Sequence, residues 1–178
     1  WPKSAPATST SPAWAASPPS RQSTGYGSTA GYVSAGATRF EAGSAGDGSK
    51  VWWWVPTTLR DGTSAPVVIY LHGFSLSDPA PYQAHIDHLT RQGFIVIYPQ
   101  FNLSNIFADT NQNTMLSRAI AATETALTSL GGQAGPLHLF GHSLGGLLIA
   151  ACMVRGGPAV ERPTLATPTN GGVAPSFV

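Results

Sequence analysis

Gly141-His142-Ser143-Leu144-Gly145 lies between a short alternating segment and a long apolar one, and no other stretch of this chain restricts its fold so tightly. Upstream, Pro136-Leu137-His138-Leu139-Phe140 alternates and is bounded by Gly131-Gly132 and Gly135, which reads as a strand. Downstream, Leu144 to Val154 is apolar all round, which reads as a helix buried on several faces. A strand that passes so quickly into such a helix brings the two backbones close together. Gly141 and Gly145 are the small neighbours that permit this, and Gly146 is expected to add clearance. Ser143 is left in a strained conformation with its hydroxyl clear of the sheet. The pattern alone is common in a chain this rich in Gly and Ser, so the flanking strand and helix carry the weight.

The rest of the chain supplies a frame for that junction. Thr38–Glu41 and Ser49–Val55 read as strands joined by a turn around Gly46-Asp47-Gly48. Alternation in the second puts Trp53 on one face and Trp52 and Trp54 on the other, most simply as sheet packing. After a turn at Arg60-Asp61-Gly62, Pro66–Leu71 runs almost wholly apolar, as a strand covered on both faces should. A helix from Ala80 to Gln92 leads to a second buried strand, Phe94–Tyr98. A longer helix spans Thr114–Leu130, with Leu116, Ile120, Thr123, Leu127 and Leu130 at helical spacing. Leu165-Ala166-Thr167 is a candidate sixth strand between Pro163 and Pro168. Strand and helix alternate, which argues for a three-layer α/β domain with a mostly parallel sheet.

Composition removes several function classes. Only 10% of the 178 residues are charged and the net charge is +1, with Lys3 and Lys50 the only lysines, so nothing suggests nucleic-acid binding. No apolar run approaches the length of a membrane span. Residues 1–37 are dominated by Ser, Ala, Pro, Thr and Gly and cannot bury enough surface to offset their ordering entropy; they read as a flexible leader ahead of a domain over 38–178. The chain starts at Trp1 without an initiator Met or a signal-type segment, so it reads as a processed product or a piece of a longer frame. Leaders of this kind often follow a cleaved export signal, and a secreted or periplasmic location is the expectation. Cys152, alone in an apolar helix, reads as a small buried hydrophobe.

Acyl transfer needs a nucleophile, a base, an orienting acid and donors for an oxyanion. Ser143 is the candidate nucleophile. Leu144 offers a backbone N–H at a helix N-terminus, where the dipole also favours negative charge. The second donor is expected from the loop His72-Gly73-Phe74-Ser75, where Gly73 lets the chain turn and aims the Phe74 N–H at the site. His72, Gly73 and His142 are the candidate pocket residues. Plain loop packing is the competing reading for His72 and Phe74.

Leu71-His72-Gly73-Phe74, Tyr98-Pro99 and Gly141-His142-Ser143-Leu144-Gly145-Gly146 together resemble the α/β-hydrolase superfamily, at spacings typical of its small esterases and lipases. The Gly73-Phe74-Ser75 loop is also similar to that of cutinases and polyester hydrolases, in which the residue matching Phe74 supplies an oxyanion N–H and an aromatic wall. The resemblance covers residues 38–170. It implies a serine hydrolase that cleaves small or polymeric carboxylic esters through an acyl-enzyme, without cofactor or metal.

One departure from the superfamily is plain. Its acid and histidine follow the serine in the chain. Here all five histidines (His72, His85, His88, His138, His142) precede Ser143, and the one carboxylate after it, Glu161, falls too early. The chain therefore reads as the N-terminal two-thirds of a hydrolase, with acid and histidine beyond Val178. His85 and His88, at i, i+3 on one helix, are weak candidates for a substitute base or a two-histidine metal site, and read best as a solvated polar face. His138 reads as a sheet residue and His142 as part of the pocket floor. The alternative from another class is a non-catalytic binding protein of the same fold, or an inactive fragment; a peptidase or amidase is a further variant.

Overall fold

The computed structural model describes residues 31–103 and 111–154, with side chains up to Cys152. The chain divides into two units, Trp1–Gly31 and Tyr32–Val178, and the described elements belong to the second. They are β1 (Ala37–Ala42), β2 (Val51–Pro56), β3 (Ala65–Leu71), α1 (Gln83–Arg91), β4 (Ile95–Pro99), α2 (Gln112–Leu130), β5 (Ala134–Gly141) and α3 (Leu144–Val154). The strands form one sheet in the order β1-β2-β4-β3-β5. β1 with β2 and β2 with β4 pair antiparallel, whereas β4 with β3 and β3 with β5 pair parallel. The sheet is therefore mixed, and its parallel half is the half that leads to Ser143. The candidate strand at Leu165–Thr167 lies outside the described residues.

Both faces of the sheet are covered, as the apolar runs require. Trp53, Val67, Ile95 and Ile97 pack with Ala122, Ala126 and Leu130 of α2. On the other face Trp52, Trp54, Tyr70, Val96 and Tyr98 pack with Ile86 of α1. The tryptophan alternation thus places one ring in one layer and two in the other, as a strand period of two dictates. A third cluster joins Ile69, Leu71, Phe101, Met115 and Ala119 to Leu148 of α3, seating that helix beside α2. No helix among the described residues is long and apolar enough to cross a membrane.

Helix ends explain where the boundaries depart from the periodicity. Asn111 caps α2 by accepting from the N–H of Asn113 at 2.9 Å and Thr114 at 3.4 Å, so the helix starts two residues earlier than its apolar stripe. The segment ahead of α1 begins as a 3-10 turn, Ala80–Tyr82, where Pro79 and Pro81 withhold donors. α1 ends at Gly93, whose φ of +87° suits the left-handed position after a helix. The N–H groups of Gly93 and Phe94 there return to the carbonyls of Thr90 and Leu89, the paired bonds of a Schellman stop. Residues 32–36, counted with the leader on composition, lie against this helix end: the N–H groups of Val33 and Ser34 both donate to the Arg91 carbonyl.

Candidate active site

The C-terminal ends of parallel strands β3 and β5 lie side by side, with Leu71 paired to Gly141. Each strand ends in a loop, His72–Leu76 after β3 and His142-Ser143 after β5, so the register brings the two sequence motifs together. The chain turns from β5 into α3 with Ser143 at φ +52°, a left-handed conformation that a residue with a side chain seldom adopts. Ser143 is exposed. The turn is held from below: the His142 N–H donates to the Leu71 carbonyl at 3.0 Å, and the Gly145 N–H lies 3.1 Å from the His72 carbonyl and 2.9 Å from that of His142.

Close approach explains two of the glycines. A Cβ on Gly145 would lie 2.1 Å from the Leu71 carbonyl oxygen, and one on Gly141 would lie 2.6 Å from the Gly145 carbonyl carbon. Those neighbours are backbone and cannot swing aside. Gly146 differs from the expectation: a Cβ there would meet nothing nearer than the Gly141 carbonyl oxygen at 3.5 Å, an ordinary van der Waals contact.

The loop after β3 is fixed by groups on both sides of Gly73. His72 is fully buried, its ring stacked on Phe101 at 4.0 Å and on Tyr98 at 5.3 Å between centroids. Its Nδ1 lies 2.8 Å from the Gly73 carbonyl, which can only accept, so Nδ1 carries the hydrogen. The bare Nε2 is buried without a partner among the described residues. Burial pushes the His72 pKa down to about 4, against a small opposing effect of the Gly73 hydrogen bond. The Gly73 carbonyl also accepts from the Leu76 N–H at 3.1 Å. A trans peptide sets C=O and N–H in opposite directions, so these bonds aim the Phe74 N–H away from the buried His72 ring. Neither the Phe74 nor the Leu144 N–H finds an acceptor among the described residues. Phe74 itself is 46% exposed and Leu147, one helical turn beyond Ser143, is 50% exposed.

Sequence reasoning missed the hydrogen bonds by which two tyrosines hold this loop. Tyr82 accepts from the Gly73 N–H at 2.9 Å and lies 2.7 Å from His142 Nδ1. Tyr98 reaches up from β4, donating to the Leu76 carbonyl and lying 3.2 Å from that of Asp78, and burial holds its pKa far above the ordinary phenol range. Nothing in the spacing of Tyr82 marks it, and Tyr98 enters the sequence reading only through the Tyr98-Pro99 pair, because the hydrogen-bond partners of both are set by the sheet and not by neighbours in the chain.

The other histidines correct the expectation of a solvated helix face. His85 Nδ1 is 3.0 Å from the Tyr70 hydroxyl and its ring meets Phe140 edge-on; His88 Nδ1 is 3.0 Å from the Tyr32 hydroxyl. Both are half-buried on the packed side of α1, and burial lowers the His85 pKa, with a further push from His88. Burial also pushes the Tyr70 pKa up to about 12. His138 lies on β5 as expected, its ring edge-on to Phe94, and His142 is exposed beside Ser143. Cys152 is half-buried rather than buried. No histidine is hydrogen-bonded to Ser143, and no three His, Cys, Asp or Glu side chains converge as metal ligands, among the described residues.

Sheet order, covering helices and the strand–turn–helix at Ser143 define the class as α/β hydrolase, and solved structures agree on that fold. The chain is similar to esterase B from Lactobacillus rhamnosis (21% identity, TM-score 0.54, covering 68% of this chain and 41% of that one). The same esterase inhibited by a tributyrin phosphonate matches at 22% identity and TM-score 0.53, over the same shares of both chains. A bifunctional GH43-CE protein of Bacteroides eggerthii matches at 21% identity and TM-score 0.50, over 64% of this chain and 17% of that one. This chain thus spans about 41% of the length of the esterase B structures. The chain belongs to the chlorophyllase family, whose family model matches residues 53–157. A comparison with curated proteins returns no match.

Proposed function

We propose that the full-length protein is a carboxylic-ester hydrolase in which Ser143 is the nucleophile and the N–H groups of Phe74 and Leu144 bind the oxyanion. The observation that carries this reading is the backbone of Ser143: left-handed, exposed, and set between two glycines that no other residue could replace without moving β3 or α3. Membership of the chlorophyllase family supports it. In the proposed cycle the Ser143 Oγ attacks the ester carbonyl carbon, its proton passes to a base, and the alkoxide leaves as the alcohol on taking up that proton. Water then attacks the acyl-enzyme, releases the acid and returns the proton to Ser143. Each tetrahedral intermediate places its negative oxygen between the two N–H groups, at the positive end of α3. None of the five histidines is hydrogen-bonded to Ser143 among the described residues, and the base and its acid are assigned to chain beyond Val178. The half-exposed Phe74 and Leu147 suit an apolar acyl or alcohol group.

Turnover of 4-nitrophenyl butyrate by the full-length protein tests this. Ser143→Ala is expected to lower kcat on the order of 1,000-fold or more. Turnover that survives the change would remove Ser143 from its role, and an inert wild-type protein would favour the non-catalytic reading of the fold.

A further inference from the structure

We infer that Tyr82 is a positioning residue of this site: its hydroxyl ties the Gly73 loop to the turn carrying Ser143 and holds the His142 ring in a single tautomer. The inference rests on the reading of Ser143 as nucleophile, because what Tyr82 aligns are the two segments that would supply the oxyanion donors. A phenol oxygen has one hydrogen and two lone pairs. The Gly73 N–H can only donate, so at 2.9 Å it occupies a lone pair. The hydroxyl hydrogen then has one acceptor within reach among the described residues, His142 Nδ1 at 2.7 Å. Nδ1 is therefore bare and the neutral ring carries its hydrogen on Nε2. His72, on the other side of Gly73, holds the opposite tautomer, since its Nδ1 must donate to the Gly73 carbonyl.

The peptide units before and after Gly73 are thus each anchored by one side chain, Tyr82 on the first and His72 on the second. The room is tight. A Cβ on Gly73 would lie 2.8 Å from His142 Nδ1 and 3.2 Å from the Tyr82 oxygen, so the bridge requires a bare backbone at this position. The Tyr82 ring is independently seated against Tyr70 at 5.2 Å and Tyr98 at 5.9 Å. Phenylalanine would keep those contacts and lose only the bridge.

The experiment is a long-range proton–nitrogen correlation spectrum of the full-length protein at mildly alkaline pH, where imidazoles are neutral, with His142→Gln used for assignment. Wild type is expected to show His142 with its hydrogen on Nε2, and Tyr82→Phe to show a mixture of tautomers. With 4-nitrophenyl butyrate, Tyr82→Phe is expected to lower kcat about tenfold to a hundredfold while KM changes less than about twofold, as loss of alignment in the transition state requires. A hydrogen on Nδ1 of His142 in wild type overturns the inference without any variant having to fold. So does a Tyr82→Phe enzyme with unchanged kcat, while Ser143→Ala remains inactive and the hydrolase reading stands. A wild-type protein without ester turnover fails the hydrolase reading, and the positioning role falls with it whatever the tautomer.

Discussion

The two halves of the sheet solve opposite packing problems. Around β2, three consecutive tryptophans fill the layers on both faces, and the strand is held by bulk: Trp53 against Ala122 and Ala126, Trp52 against Tyr98. Where β3 and β5 end, the chain is held by the lack of bulk. Gly145 rests on the Leu71 carbonyl and Gly141 on the first turn of α3, at distances no side chain could share. The first half can yield a little volume and remain a sheet. The second cannot accept one methyl group. The contrast places the tolerance of the fold on one side and its candidate chemistry on the other.

A methyl group at Gly145 breaks the comparison most directly. Gly145→Ala in the full-length protein is expected to cost on the order of 3 kcal/mol or more, and to abolish ester turnover in whatever folds, because β3 must move. Gly146→Ala, one residue on, is the control and should be neutral or stabilising by up to about 1 kcal/mol, as a helix interior prefers alanine. Urea unfolding of both variants decides the matter, and equal effects would remove the close approach as the cause. Trp53→Ala sharpens the other side. It is expected to cost about 3–5 kcal/mol, yet to leave kcat of the folded fraction unchanged. A loss of kcat at temperatures where the variant is fully folded would show that the two halves are not independent.

A smaller effect comes from His72. Its pKa is pushed below the ordinary histidine value to about 4 by burial, so the unfolded chain binds the proton more readily than the native one. Stability is therefore fully present above pH of about 6.5 and declines as pH falls toward about 4, by about 3 kcal/mol at most. The measurement is Tm against pH for wild type and His72→Phe, which keeps a ring between Tyr98 and Phe101. The variant should lose most of the slope in that window, and an unchanged slope would assign it to other groups.

Much of this architecture was legible because it depends on local pattern. Buried strands read as apolar runs, the tryptophans sorted themselves by alternation, and the Gly-His-Ser-Leu-Gly turn announced its own sterics. The His85–His88 face was misread for a physical reason: histidine is polar enough to look solvated in a periodicity. Its partners Tyr70, on β3, and Tyr32, ahead of β1, are distant in the chain. Gly146 was likewise misassigned because adjacent glycines look alike in a sequence, whereas packing presses the Leu71 carbonyl against Gly145 and leaves Gly146 only an ordinary contact with Gly141.

What this sequence determined by itself was the order of strands and helices and the tight strand-to-helix turn at Ser143, since both are written in the local pattern of apolar residues and glycines. Only the tertiary structure decided which loop stands beside that serine and what holds it there. Parallel pairing of β3 with β5 brings together residues some seventy positions apart, Leu71 opposite Gly141, and thereby lets one hydroxyl, that of Tyr82, reach both loops. Hydrogen bonds between distant segments leave no spacing to read, because the geometry that forms them exists only after the sheet has closed.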